Sequence, residues 1–426
     1  MVIRHSICYV FQYVILFAVL MLLGCSQDDS TTKGVSDAAT SGIPIYFLAA
    51  TNDAFSTRGV AMAGDLDTEA QFRVYATKQL RNGNAPAPAP SGALQAFIPD
   101  GGYDNTVSYQ SVNIYENDPG ITPYYVNVWK FPHTNYLWPD DVYMVNFYAI
   151  HPATAPAITD IVNSRQLVYD NTSPMPGNYD LMYSKVLNAH REEYGEFVQV
   201  LPDFGPNSTV ALTFHHLLSR IMFYGKLSQQ FVNFGWTVEV GGISICNINA
   251  GGTLDLDAAT PTLKAAATPV HQNYVMPMNP SRPVLNALTV KQDNAGNDIP
   301  LTSPTEITAV IPQKPTVWDP TSEAITATTG CYLAIQMKIK DADNTYQMGS
   351  TDSYHTVYVP FQTGIYNIEG SQISWQASKT YSYTLTFGGG YNAEGSASLQ
   401  PITISAAIHP WNSTTVGGEA THKRSE

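Results

Sequence analysis

Residues able to do chemistry are present, but their spacing offers little for them to do. His215 and His216 are adjacent in a strand-like run. Neighbouring strand side chains point to opposite faces, so the two do not readily share a metal. A packed, hydrogen-bonded imidazole is the expectation for each. Asp341-Ala342-Asp343-Asn344-Thr345 opens like a calcium loop but lacks glycine at the sixth position and glutamate at the twelfth, so a hairpin turn is expected. Asp140-Asp141 and Glu192-Glu193 are adjacent pairs, which do not by themselves form an acid/base dyad. Gly388-Gly389-Gly390 ends one strand-like run and leads to another, which reads as a turn rather than a phosphate cradle. The chain has no Gly-x-Ser-x-Gly, His-Glu-x-x-His or Cys-x-x-Cys pattern. No catalytic residue, metal ligand or cofactor is expected, and the chain is read as a non-enzyme.

Two other residues have settings that invite covalent chemistry. Cys25 follows Leu22-Leu23-Gly24, at the end of an apolar run from Ile7 to Leu23 that Arg4 precedes. A basic start, an apolar core and a small residue before the cut mark a secretory signal. The Cys after Gly resembles the lipobox of bacterial lipoproteins, which implies acylation of the Cys25 thiol and cleavage before it. A transmembrane helix is the alternative, although the run is barely long enough to span and lacks a basic stop-transfer flank. Two or three acyl chains anchor a protein stably. Ser26-Gln27-Asp28-Asp29 then resembles the acidic export signal of some surface lipoproteins of Gram-negative anaerobes; a plain polar tether is the other reading. Arg58 is the only arginine between Cys25 and Phe72 and sits in the stretch Ser56-Thr57-Arg58-Gly59, which a protease could reach. A solvated loop residue is the alternative there.

The elements that must position these residues are strands. The chain has 426 residues, enough for two domains, with 44% hydrophobic and only 13% charged. Its 26 Tyr, 30 Gly and 28 Pro belong to strands and turns. The net charge of −14 excludes the basic footprint of nucleic-acid binding and docking on anionic lipid through a basic face. Period-two runs recur near 43–50, 70–77, 107–115, 122–130, 142–150, 179–187 and 209–214. A second series lies near 219–227, 236–248, 307–312, 331–340, 354–361, 380–388 and 401–410. Breakers include the Ala-Pro repeat to Pro90 and Ala250-Gly251-Gly252. Only 158–168 reads as helical.

The expected architecture is all-β, two tandem β-sandwiches of about seven strands each. The division expected is a signal peptide over 1–24, a flexible tether over 25–42, sandwiches over 43–217 and 218–412, and a polar tail over 413–426. Cys246 and Cys331 remain in strand-like runs, open to a disulfide or to two separately buried thiols. Tyr124, Tyr125, Trp129, Tyr136 and Trp138 read either as a sugar-stacking platform or as sandwich core.

Several segments resemble the fimbrillin family of pilin-like and pilus-accessory lipoproteins. They are Ser56-Thr57-Arg58-Gly59-Val60 before Phe72-Arg73-Val74-Tyr75-Ala76; Trp138-Pro139 with Phe147-Tyr148-Ala149-Ile150-His151-Pro152; Asp180-Leu181-Met182; and Phe214-His215-His216. The closest match is Val357 to Phe361 and then Trp375 to Phe387, with Ser378 where the family usually has Gly, so that turn is expected to differ. Ile402 to Trp411 is the last. The resemblance implies transthyretin-like sandwiches, assembly by strand donation, and an Arg-specific cut that frees the strand before it. That strand is Ile43-Pro44-Ile45-Tyr46-Phe47-Leu48-Ala49-Ala50, in which Ile43, Ile45, Phe47 and Ala49 can face a core, and Pro44, lacking an amide donor, suits an edge. Arg58 is the cleavage residue this implies. The tail 413–426 has one large apolar residue, Val416, a poor donor strand.

Together these imply a surface-attached fimbrial accessory, tip or anchor subunit at the outer membrane. Its expected partners are other fimbrial subunits, the membrane through the lipid anchor, and a host protein or glycan. A glycan-binding lipoprotein of a polysaccharide-uptake system is the alternative.

Overall fold

The computed structural model describes residues 44–51, 66, 69–82, 89–99, 104–113, 125–132, 136–139, 143–158, 160–170, 180–190, 209–260, 262–281, 283–286, 298–303, 306–319, 325–326, 330–361, 363–364, 374–388, 390–391, 397–398 and 402–410. Most of the described elements are strands. The first nine are β1 (Tyr46–Thr51), β2 (Gln71–Asn82), β3 (Ala89–Ile98), β4 (Thr106–Asn113), β5 (Tyr125–Lys130), β6 (Tyr143–His151), β7 (Gln166–Asp170), β8 (Met182–Ala189) and β9 (Thr209–His216).

Apart from β7, these strands form one sheet in the order β3-β2-β4-β5-β1-β9-β8-β6, and β6 pairs back onto β2. The sheet is therefore a closed ring of β2, β4, β5, β1, β9, β8 and β6, with β3 outside it. Alternation fills the ring. Phe47, Phe72, Val74, Val107, Trp129, Val145, Phe147, Val210, Leu212 and Phe214 all belong to one buried cluster. The opposite faces of β2, β6 and β8 are apolar too: Tyr75, Tyr148, Ile150 and Tyr183 join a second cluster outside the ring.

The rest of the chain gives β10 (Ser219–Leu227), the helix α1 (Gln229–Phe234), β11 (Thr237–Asn249), β12 (Gly251–Asp255), β13 (Leu263–Ala265), β14 (His271–Val275), β15 (Val284–Leu285), β16 (Ile299–Pro300) and β17 (Ala309–Val310). Then follow β18 (Tyr332–Lys340), β19 (Tyr346–Met348), β20 (His355–Pro360), β21 (Lys379–Phe387), β22 (Gly390–Tyr391), β23 (Ala397–Ser398) and β24 (Thr403–Pro410). One sheet runs β16-β10-β21-β24 and another β14-β11-β18-β19, with β20 also on β18. Ile221, Phe223, Tyr381, Tyr383 and Leu385 of the first share a core with Val240, Ile243, Ile245, Leu333 and Ile335 of the second.

A small sheet, β13-β12-β7, ties the parts together: β7 pairs with β12 from Gly251↔Asp170 to Asp255↔Gln166. Gly252 is required there, because a Cβ would lie 2.7 Å from the Lys264 carbonyl oxygen. Leu254, Leu256, Leu263 and Ile311 pack in the same cluster as Tyr75, Tyr148 and Tyr183. Lys185 donates to the carbonyls of Leu256, Asp257 and Ala258, and Arg165 pairs with Asp257.

Three local expectations change. The segment 158–168 is not a helix. Asp160 accepts backbone N–H groups of Val162 and Asn163 in a turn, and β7 follows. The Ala-Pro stretch ends in strand β3, where Pro90 is tolerated because β3 pairs on one side only, with β2. The Gly251-Gly252 breaker lies inside β12.

Candidate strand-exchange seat

β1 is the strand whose removal the resemblance implies, and its alternation is realised. Ile45, Phe47 and Ala49 are 2%, 0% and 7% exposed, whereas Leu48 is 44% exposed. Ile43, Arg58 and Cys25 lie outside the described residues.

Phe47 sits edge-on to Phe72, Phe131 and Phe147 at centroid distances of 6.4, 5.9 and 5.7 Å. Such pairs add about 0.5–1.5 kcal/mol each beyond burial. Burying Ile45 and Phe47 contributes about 1.5–3 kcal/mol apiece. The side chains of β1 are thus seated as core.

Its backbone is held unequally. Toward β9 it is paired in parallel over its whole length, Tyr46↔Thr209 through Thr51↔Phe214. Toward β5 it has a single pair, Phe47↔Trp129. An isolated bridge Pro44↔Leu137 and the bond from Ile45 N–H to Tyr136 O, 2.9 Å, continue that side. The expected edge strand is therefore corrected: β1 lies between two strands and closes the ring. Pro44 did not report an edge, since it precedes the strand. What remains of the edge character is the sparse ladder toward β5. Taking β1 out would open the ring at that seam and leave β9 with an unpaired face.

The aromatic patch has a different place from a sugar platform. Trp129, Tyr136 and Trp138 are 3%, 7% and 5% exposed and belong to the ring's interior cluster. Tyr124 lies outside the described residues, as does the side chain of Tyr125.

Below the seat, β9 ends in a buried polar group that single residues did not reveal. His216 is turned inward with its Nδ1 2.6 Å from Asp180 Oδ2, while His215 alternates away. His151 lies beside them, its Nδ1 3.1 Å from Gln71 O. Burial lowers the His151 pKa, and the charge of His216 adds to this; Asp180 and the Gln71 carbonyl oppose it. A histidine with a folded pKa below its unfolded value of about 6.5 leaves stability intact above that pH and removes it as pH falls below it. We therefore expect urea stability to decline on acidification from pH 7.5 to 5, with His151→Asn flattening part of the slope. One group can supply at most about 1.4 kcal/mol per pH unit. An identical slope in the variant would show that His151 does not titrate this way.

The remaining sequence candidates resolve as structure. Asp341 accepts the N–H groups of Asp343 and Thr345 in the β18–β19 turn and the side-chain amide of Gln347 on β19. Gly388 ends β21 with φ of +92°, and a Cβ there would lie 2.3 Å from the Phe231 ring. Cys246 and Cys331 are both free and buried. Cys331 faces the shared core, whereas Cys246 pairs across from Tyr332 on the other face of its sheet.

The fimbrillin-like family model matches residues 61–411. The chain belongs to the fimbrillin-like family. No curated protein matches it. Among solved structures, the fimbrillin-like chain is similar to a fimbrial protein of Bacteroides vulgatus, with 13% identity, 86% of this chain and 99% of that one covered, and a TM-score of 0.46. It is also similar to the tip fimbrial protein Mfa3 of Porphyromonas gingivalis, at 9% identity, 87% and 99% coverage and a TM-score of 0.33. A fimbrilin of Porphyromonas gingivalis matches at 11% identity, 86% and 97% coverage and a TM-score of 0.35.

In this fimbrillin-like chain the turn before β21 keeps a left-handed residue although Ser378 occupies it, at φ 58°. The serine is held on both sides. Its hydroxyl donates to His216 O at 2.9 Å and its N–H to Leu218 O at 3.1 Å. The turn thereby fastens the β9–β10 crossover.

Proposed function

We propose that this fimbrillin-like chain is a non-enzymatic, surface-attached fimbrial accessory, tip or anchor subunit, serving adhesion or fimbrial assembly by accepting a donated strand. The observation that carries the reading is the seat of β1: a core-lining strand whose side chains fill the ring, with a full parallel ladder to β9 and a ladder to β5 of a single residue pair. An incoming strand with alternating apolar residues would supply the same plugs and the same parallel ladder to β9. Membership of the fimbrillin-like family supports a fimbrial or adhesive role.

In this reading residues 43–217 and 218–412 correspond to two transthyretin-like sandwiches, the first closed into a ring by β1. Arg58 is the processing site, in the segment between β1 and β2. Residues 1–24 are the export signal and 25–42 the tether. The polysaccharide-uptake alternative loses the support of Trp129, Tyr136 and Trp138, which are core.

The acylated Cys25 places the subunit on the outer membrane, with the fimbrium as its working location. Cys25→Ala is expected to abolish acylation and move the protein from the membrane fraction to the soluble fraction, checked by fractionation and detergent partitioning. Full retention of the variant on membranes would remove the anchor from the proposal.

A further inference from the structure

β11, β14, β18 and β20 turn Ile243, Ile245, Tyr274, Leu333, Ile335 and Val359 into the core. The alternate residues form an outer face. One row across it runs Tyr358, Ala334, Ser244, Val275, fixed by the registers Ala334↔Tyr358, Ser244↔Ala334 and Ser244↔Val275. Tyr358 is 50% exposed and Val275 69%, while the two residues between them are among the smallest side chains. Strands lie about 4.8 Å apart, so this row is a trough roughly 14 Å across with a low floor.

The neighbouring rows add chemistry. On one side Thr356 pairs with Gln336, which pairs with Gly242. On the other, Tyr332 is buried and holds two rings edge-on, Tyr358 at 5.7 Å and the half-buried Trp318 at 5.6 Å. Aromatic rings thus flank a floor carrying a serine hydroxyl, a threonine hydroxyl and a carboxamide.

The charge of the trough is as informative as its shape. The chain carries −14 overall, yet none of these residues is acidic or basic. Glu239 and Lys338, further along the same two strands, are cross-strand partners, and both engage Tyr354: its hydroxyl donates to Glu239, and the Lys338 ammonium lies 4.5 Å from its ring centroid. An anionic ligand would meet repulsion from the acidic molecule, and a cationic one would find no carboxylate among the residues of these rows. An apolar helix would strand the three polar floor groups without partners. A pyranose fits: its C–H face covers an aromatic ring and its rim of hydroxyls meets the amide and hydroxyls, the mixture of apolar walls and few polar groups usual in ligand sites.

We propose that the outer face of β11, β18 and β20 binds a neutral glycan, with Tyr358 and Trp318 stacking on sugar rings and Gln336, Ser244 and Thr356 bonding to sugar hydroxyls. This deepens the adhesion reading on which it rests.

The test is saturation-transfer NMR and calorimetric titration of the full chain with neutral oligosaccharides of glucose, galactose, mannose and N-acetylglucosamine, alongside sialylated and sulfated counterparts. A neutral oligosaccharide is expected to bind, with contacts broadened at the tyrosine and tryptophan protons. Tyr358→Ala and Gln336→Ala should each weaken it by about tenfold or more. Ser244→Trp, which fills the trough without entering the core, should abolish binding, and Val168→Ala on β7 should leave it unchanged. Absence of binding by every neutral oligosaccharide, preference for the anionic set, or binding indifferent to both Tyr358→Ala and Ser244→Trp would overturn the site. Strand exchange at β1 is measured separately. Exchange without glycan binding removes this site alone, and glycan binding without exchange removes the assembly reading and keeps the site.

Discussion

Replacing Phe47 with alanine is expected to destabilise the protein by about 3–5 kcal/mol, the range for deleting a fully buried phenylalanine. Phe47 is 0% exposed, and its three ring partners come from three other parts of the ring wall. No single neighbour can relax into the space, so a cavity should remain. Leu48, the next residue on the same strand, is 44% exposed; Leu48→Ala should change stability by no more than about 0.5 kcal/mol. Urea unfolding followed by far-ultraviolet circular dichroism reads both. Equal losses at the two positions would mean that β1 is not seated by its alternation. Phe47→Ala should also shorten the time a nicked β1 stays in place, because the released strand gives up its main anchor.

Trp375→Ala should cost a similar amount, about 3–5 kcal/mol, with a different consequence. Trp375 is 1% exposed, its indole N–H donates to the Tyr383 hydroxyl at 2.6 Å, and its ring lies 6.0 Å from Phe361. It belongs to the core between the β10 and β11 sheets, whereas Phe47 belongs to the ring interior. Residues without shared partners act additively. The double variant should therefore lose the sum of the two, and Trp375→Ala should leave β1 exchange at the wild-type rate. Trp375→Phe, which keeps most of the volume, should recover more than half of the loss. Acceleration of exchange by Trp375→Ala would show that the two cores are coupled and that the seat is not a local device.

Strands with clean alternation were legible from residues alone. β10 spans Ser219–Leu227, where the period-two run was read, and β18, β20, β21 and β24 lie within a few residues of theirs. The elements missed had a local signal that a longer-range contact overrode. β3 carries Pro90, the end of a stretch that reads as a breaker, yet β2 holds it along one edge. β12 carries Gly252 because β13 approaches too closely there for a side chain. The helix α1 has six residues, too few for a 3.6-residue period to show. Its cap was nonetheless written in the sequence: Ser228 accepts the Phe231 N–H and Gly235 ends it in the left-handed region.

The seat was half legible. Alternation identified Ile45, Phe47 and Ala49 as inward-facing, because a strand's period is purely local. Which strands flank β1 depends on chain far away: β5 begins at Tyr125 and β9 at Thr209. Ring closure therefore could not be read from Pro44. The same holds for His151, Asp180 and His216, which come together only because β6, β8 and β9 pair side by side.

The central claim is that β1 is an exchangeable strand, and one measurement meets it directly. The full chain is treated briefly with an Arg-specific protease, then mixed with excess synthetic peptide spanning residues 43–51, and the mass of the non-covalent complex is followed with time. Cleavage should come first after Arg58, with the cut piece still bound, since side chains worth several kcal/mol keep it seated. The labelled peptide should then replace it slowly, and Arg58→Ala should resist both steps with its fold unchanged. First cleavage elsewhere in the folded protein, or a nicked strand that never exchanges under excess peptide, would contradict the account.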